Sequence, residues 1–165
     1  MKIMIIEDEK TIRDMLGETI EKWGFTTVKV EDFDQVLSIF LKNSPHLVLM
    51  DINLPSFDGF YWCNKIREIS KVPMIFLSSR DTPMDIVMSM NMGGDDYIQK
   101  PFHMDVLIAK INALLRRTYS YMETQSQTME HDGIILNLEN GEVLHGDRKS
   151  ELTKTEFLIL KILMK

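Results

Sequence analysis

Three carboxylates, a hydroxyl and an amine recur at one kind of position in this chain. Glu7 and Asp8 follow the apolar run at 3–6, Asp51 follows 47–50, Ser78 follows 74–77, and Lys100 follows 97–99 with Pro101 next to it. A carboxylate that stops a buried run has two readings. Either the strand has surfaced and the acid is its polar end, or the acid is presented there for chemistry. Carboxylates that close repel, and at least one is pushed toward protonation unless a cation lies between them. Mg²⁺ suits such a place, because it takes oxygen ligands, keeps several waters and uses one or two carboxylates with a phosphate oxygen. An aspartate can itself be the nucleophile in phosphoryl transfer. Lys100 and the metal would neutralise charge developing on the phosphoryl oxygens, and Ser78 could hydrogen-bond one of them. Each residue is weak alone; their recurrence at one end of consecutive units is the signal.

The elements that must position them follow from periodicity. Short runs at 3–6, 25–30, 47–50, 74–77 and 97–99 have strand length, and the first, third and fourth are apolar throughout, as in a sheet covered on both faces. Between them lie helix-period stripes: Ile12, Leu16, Ile20 and Trp23; Phe33, Val36, Leu37, Phe40 and Leu41; Phe60, Cys63, Ile66 and Ile69. Pro83 can open the fourth helix, and "DVLIAKINALLRR" supplies the fifth. Five strand–helix units predict an α/β fold, a five-stranded parallel doubly wound sheet with right-handed crossovers. Ligands in such folds bind outside the carboxyl ends of the strands, which is where the five polar residues stand.

Composition narrows the class. The 165 residues carry a net charge of −6, so a generally basic, nucleic-acid-coating surface is excluded for the chain as a whole. Cys63 is the only cysteine, which rules out an intrachain disulfide and suits a reducing, cytoplasmic compartment. The opening "MKIMIIEDE" is too short in apolar residues for a signal peptide or membrane insertion.

The pieces "IIEDE", "VLMDINLPSFDGF", "FLSSRD" and "GGDDYIQKPF" resemble the receiver domain of bacterial two-component response regulators, over residues 1–117. The resemblance implies a flavodoxin-like fold in which Asp51 is the phosphorylated aspartate. Glu7 and Asp8 are the acidic pair serving Mg²⁺, with Asn53 ligating through its backbone carbonyl. It also implies Ser78 as the switch hydroxyl, Tyr97 as the switch aromatic, Lys100 as the phosphate-pairing lysine and a cis Lys100–Pro101 bond. The phosphoryl donor is then a sensor histidine kinase. The protein is no enzyme beyond slow self-dephosphorylation. Phosphate on Asp51 would draw Ser78 toward it, and Tyr97 would turn inward; the competing reading makes Tyr97 a rim aromatic packed for stability.

The same resemblance places a homodimer face, formed on phosphorylation, on the fourth helix, fifth strand and fifth helix. Asp95 and Asp96 would pair there with Lys110, Arg116 and Arg117 of a neighbour, or else form only a solvated turn. Ile86 and Val106 stand where many relatives carry opposite charges, so apolar contact replaces a salt bridge. Met84, Met88, Met90 and Met92 would give that helix a deformable surface, or simply fill core. "FDGFYWCNKIREIS" and "SSRDTPMDIVMSM" are similar to the branch that works with peptide-antibiotic-sensing kinases. Tyr61 and Trp62 are adjacent on a short helix, so one of them is expected at the surface.

Past Arg117 the composition turns polar, and 118–130 reads as a linker. Asn140-Gly141 between two apolar runs signals a hairpin, and Thr153 with Glu156 forms a capping box ahead of Phe157, Leu160 and Leu163. Residues 131–165 resemble the start of the winged-helix DNA-binding domain of the OmpR/PhoB type. Residues 118–165 hold 5 Lys and Arg against 8 Asp and Glu, a net of −3. The expectation is therefore an incomplete output domain, without the recognition helix that reads bases, and promoter binding only by the intact protein. Two other functions compete. A Mg²⁺-dependent phosphohydrolase places its aspartyl nucleophile after the first strand with a second acid two residues on, whereas here the candidate follows the third and residue 53 is Asn. A phosphate-independent protein-binding module would not need Asp51, Lys100 and the Glu7–Asp8 pair together.

Overall fold

The computed structural model describes residues 1–120, 128–138 and 140–164, and the chain divides into two compact units, Met1–Leu115 and Arg116–Lys165. In the first unit, strands β1 (Lys2–Ile6), β2 (Thr26–Lys29), β3 (Leu47–Asp51), β4 (Met74–Ser78) and β5 (Asp96–Gln99) pair in parallel in the order β2-β1-β3-β4-β5. Helices α1 (Lys10–Lys22), α2 (Val36–Asn43), α3 (Gly59–Arg67), α4 (Pro83–Asn91) and α5 (Met104–Leu115) alternate with them. This is the doubly wound, flavodoxin-like arrangement that the alternating runs predict. Every residue of β3 and β4 is buried, which explains their unbroken apolar runs.

Register decides where the polar residues meet. Ile6 pairs with Met50, Asp51 with Leu77, and Ser78 with Gln99. The strands therefore end nearly in phase, and the residues that terminate them share one edge of the sheet. Local chemistry sharpens the loops beyond. Asp58 caps α3 by accepting the Tyr61 N–H at 2.9 Å, and Thr82 caps α4 by accepting the Asp85 N–H at 3.2 Å, ahead of Pro83.

Three residues of the expected stripes face solvent instead. Trp23 is 57% exposed because α1 stops at Lys22 and the Trp23 N–H folds back to the Ile20 carbonyl. Leu41 lies off the side of α2 that buries Val36 and Phe40, and Ile69 falls beyond the end of α3. Of the adjacent aromatics, Trp62 is the buried one. Tyr61 is half-buried and stacks on exposed Phe57 with ring centroids 4.1 Å apart.

In the second unit, β6 (Thr128–His131), β7 (Ile134–Asn137), β8 (Glu142–His145) and β9 (Arg148–Glu151) form an antiparallel sheet in chain order, followed by α6 (Lys154–Leu163). Both bonds of the Thr153–Glu156 capping box are formed. Gly141 holds φ +72 in the turn before β8, a conformation that favours glycine. The linker expected at 118–130 overlaps two described elements at its ends. Residues 116–120 make a π-helical turn and 128–130 lie in β6, while 121–127 are outside the described residues. Strand β9 gave no apolar signal because all four of its side chains are exposed.

Candidate functional site

Lys100 brings the carboxyl ends of three strands together. Its ammonium lies 2.6 Å from Glu7 Oε2 and 2.9 Å from Asp51 Oδ2. The backbone fixes the other carboxylate oxygens: Asp51 Oδ1 accepts the Asn53 N–H at 3.1 Å, and Glu7 Oε1 accepts the Glu9 N–H at 3.1 Å. Glu7 and Asp51 are buried, whereas Asp8 is exposed at the rim. The Lys100–Pro101 peptide is cis, as expected.

One carboxylate oxygen from each of Glu7, Asp8 and Asp51 lies within 4.8 Å of the other two. These are hard oxygen donors of the kind Mg²⁺ prefers, with an exposed acid leaving room for retained waters, so the residues fit that ion. Their electrostatics agree. Burial first, and then the nearby charge of Asp51, push the Glu7 carboxyl up to about 7, although Lys100 pulls the other way. For Lys100, burial disfavours the ammonium, but its hydrogen bonds to Glu7 and Asp51 outweigh that and hold its pKa above the usual lysine value.

The site opens into a cavity of about 560 Å³ whose lining includes acidic Glu7, Glu9 and Asp51 and apolar Ile12, Met15, Pro101 and Phe102. Ser78 is buried at the end of β4, where its Oγ accepts the Arg80 N–H at 3.1 Å and its carbonyl accepts the Lys100 N–H at 2.8 Å. Tyr97 is half-buried on the core cluster, and its hydroxyl donates to the Arg80 carbonyl.

Residues 3–112 match the response regulator receiver domain. The chain belongs to this family. This response regulator is 44% identical over 164 residues to the response regulator protein GraR of Staphylococcus aureus, an OmpR/PhoB-type regulator, covering 99% of this chain and 73% of GraR. Among solved structures, the N-terminal domain of the nisin resistance regulator NsrR, a lantibiotic response regulator, is 44% identical with a TM-score of 0.65, covering 70% of this chain and 97% of that one. A two-component response regulator from Clostridium difficile is 30% identical with a TM-score of 0.69, covering 72% of this chain and 98% of that one. Receiver domains of the family work with sensor histidine kinases and bind Mg²⁺ at an acidic site.

Of the residues expected at the dimer face, the acids have partners within this chain. Asp96 pairs with Lys110 of its own chain at 2.8 Å, and Asp95 accepts from Arg67 at 3.0 Å and from the Met74 N–H at 2.8 Å. Both acids thus have partners within the fold, Asp95 while exposed and Asp96 while half-buried. Arg116 and Arg117 lie in the π-helical turn of the second unit. Ile86 and Val106 are exposed, at 39% and 48%, and Met84, Met88 and Met90 are exposed with them. On α4 the only buried residue is Ser89, so core filling does not explain those three methionines.

Sequence reasoning missed Arg13, Gly59 and Arg80. Gly59 is the first residue of α3, and a Cβ there would stand 2.2 Å from the Asp51 carbonyl oxygen. Arg80 reaches Asn53 Oδ1 at 3.1 Å and lies beside Asp85. Arg13 had a legible signal: it falls on the buried stripe of α1 with Leu16, Gly17 and Ile20. Among the described residues, no helix is long and apolar enough to cross a membrane.

Proposed function

We propose that Asp51 accepts a phosphoryl group from the phosphohistidine of a sensor histidine kinase, and that this event switches the α4–β5–α5 face toward homodimerisation. The observation that carries the reading is the junction of Lys100 with both Asp51 and Glu7 at the mouth of the sheet. A carboxylate oxygen of Asp51 attacks phosphorus as the phosphorus–nitrogen bond of the donor breaks. The Asn53 N–H and the Lys100 ammonium hold Asp51 in a fixed orientation, so little ordering remains to be done at the moment of reaction. Glu7, Asp8, Asp51 and the Asn53 carbonyl would hold Mg²⁺, which supplies positive charge against the equatorial phosphoryl oxygens. The Lys100 ammonium would contribute positive charge as well.

The readout runs through Ser78. Its hydroxyl moves to donate to a phosphoryl oxygen, the β4–α4 loop joined to it through the Arg80 N–H follows, and the Tyr97 hydroxyl leaves the Arg80 carbonyl as its ring turns inward. The exposed apolar surface at Ile86, Val106 and the α4 methionines is the face that a second copy covers. In this reading 1–117 is the switch and 131–165 begins a winged-helix output domain, so the intact regulator would act on promoter DNA in the cytoplasm. The resemblance to the nisin resistance regulator NsrR supports a role in responding to peptide antibiotics.

Intact-mass spectrometry after incubation with acetyl phosphate tests the chemistry. The native chain gains one phosphate only with Mg²⁺, and Asp51→Ala gains none. An unlabelled native chain, where a reference receiver labels, would instead indicate a phosphate-independent module.

A further inference from the structure

We infer that Arg13 is a positioning residue for the cation site, holding the Glu7–Asp8 turn from behind through its main chain. Arg13 sits on the buried stripe of α1 at 7% exposure, a rare place for a guanidinium. Buried arginines are ordinarily paired with a carboxylate. Among the described residues Arg13 has no such ion pair, and its buried Nε has no hydrogen-bond partner. What it does have is one aimed contact: Nη1 donates to the Glu7 carbonyl at 2.9 Å and approaches the Asp8 carbonyl at 3.4 Å.

Those two carbonyls lie just past the end of β1, where the ladder to the neighbouring strands has stopped. The following helix offers little help, since its N-cap residue Glu9 makes no side-chain capping bond. Besides the Lys100–Glu7 ion pair, the acidic turn has two anchors of its own. One is the Glu9 N–H bound to Glu7 Oε1; the other is Arg13 Nη1, which meets both carbonyls. Fixing the two carbonyls fixes the directions in which the Glu7 and Asp8 side chains leave the backbone, and so the common space they share with Asp51.

A competing effect has the opposite sign, which makes the inference testable. A positive group behind the site repels a divalent cation. If charge dominated, removing Arg13 would tighten Mg²⁺ binding; if positioning dominates, removal loosens it. Positioning should win, because the guanidinium meets carbonyl oxygens rather than the cavity, while a hard, small ion demands near-ideal ligand geometry. The inference rests on the Mg²⁺ reading of the site given above.

The test is Mg²⁺ titration by calorimetry on the full chain and on Arg13→Met and Arg13→Lys, with circular dichroism to establish that each is folded. Arg13→Met should bind Mg²⁺ at least about tenfold more weakly, the size of effect seen when groups supporting metal ligands are removed. Arg13→Lys keeps the charge but ends in a shorter, rotatable ammonium instead of a rigid planar guanidinium, and should fall between, about threefold weaker than the native chain. Native-like or tighter binding by Arg13→Met overturns the inference. Should Arg13→Met not fold, Arg13→Lys decides, and native-like binding by it overturns the inference equally. A native chain that binds no Mg²⁺ would overturn the metal reading itself, a different failure.

Discussion

The Lys100 ammonium lies 2.9 Å from Asp51 although 49 residues separate the two in sequence. Parallel topology makes this possible, since β3 and β5 both flank β4 and end on the same edge. The same ammonium neutralises Glu7, so one cation serves two buried carboxylates. Its removal leaves both uncompensated, a situation that burial penalises heavily.

Lys100→Met should therefore raise the Glu7 pKa above its value of about 7, because Lys100 is what now lowers it against burial. Carbon-detected NMR titration of the Glu7 carboxyl would show a midpoint displaced upward. An unmoved midpoint would mean that the ammonium does not govern this carboxylate.

Glu7 also sets a pH dependence for Mg²⁺. Below about pH 7 its carboxyl carries a proton in the metal-free protein, and a cation must displace that proton to bind. Apparent affinity should rise with pH below about 7, by up to about tenfold per pH unit, and level off above it. Calorimetry in two buffers of different ionisation enthalpy would reveal the released proton.

The same shift has a stability consequence with the sign worked through. A carboxyl whose folded pKa is raised holds its proton longer in the folded chain than in the unfolded one. Stability of the metal-free receiver should thus fall as pH rises from 4.5 to about 7. Urea denaturation at pH 5 and pH 7.5 measures it, and Glu7→Gln should remove most of the slope.

Gly59→Ala should damage the site from outside it. The added Cβ would meet the Asp51 carbonyl oxygen at 2.2 Å, and backbone cannot yield as a flexible side chain does. A loss of about 2 kcal/mol is expected for such overpacking, visible in calorimetric unfolding, together with slower phosphoryl uptake from acetyl phosphate.

Ser78→Ala should separate chemistry from readout. The hydroxyl is absent from the Asp51, Glu7 and Lys100 bonds, and its partner is the Arg80 N–H. Phosphoryl uptake should persist while dimerisation, followed by light scattering, is lost. Full dimerisation of the variant would remove Ser78 from the switch.

Much of this was legible because parallel strands announce themselves. The unbroken apolar runs ending at Ile6, Met50 and Leu77 gave the sheet, and the polar residues after them gave the site. What escaped depends on tertiary contacts that no local pattern encodes. Gly59 is required by a carbonyl eight residues back, and the partners of Asp95 and Asp96 come from α3 and α5. Arg13 was hidden by its type, since a charge on a helix reads as solvated unless its register on the buried stripe is counted. In the second unit, β9 is polar at every position, so only its pairing with β8 reveals it.

The central claim is that Asp51 is the phosphoryl acceptor, and borohydride trapping tests it most directly. An aspartyl phosphate is an acyl phosphate, which borohydride reduces so that the residue becomes homoserine, and peptide mapping then locates it. After acetyl phosphate and Mg²⁺, homoserine should replace aspartate at position 51 and nowhere else. Homoserine at another position, or none in a chain that has gained phosphate mass, would contradict the account.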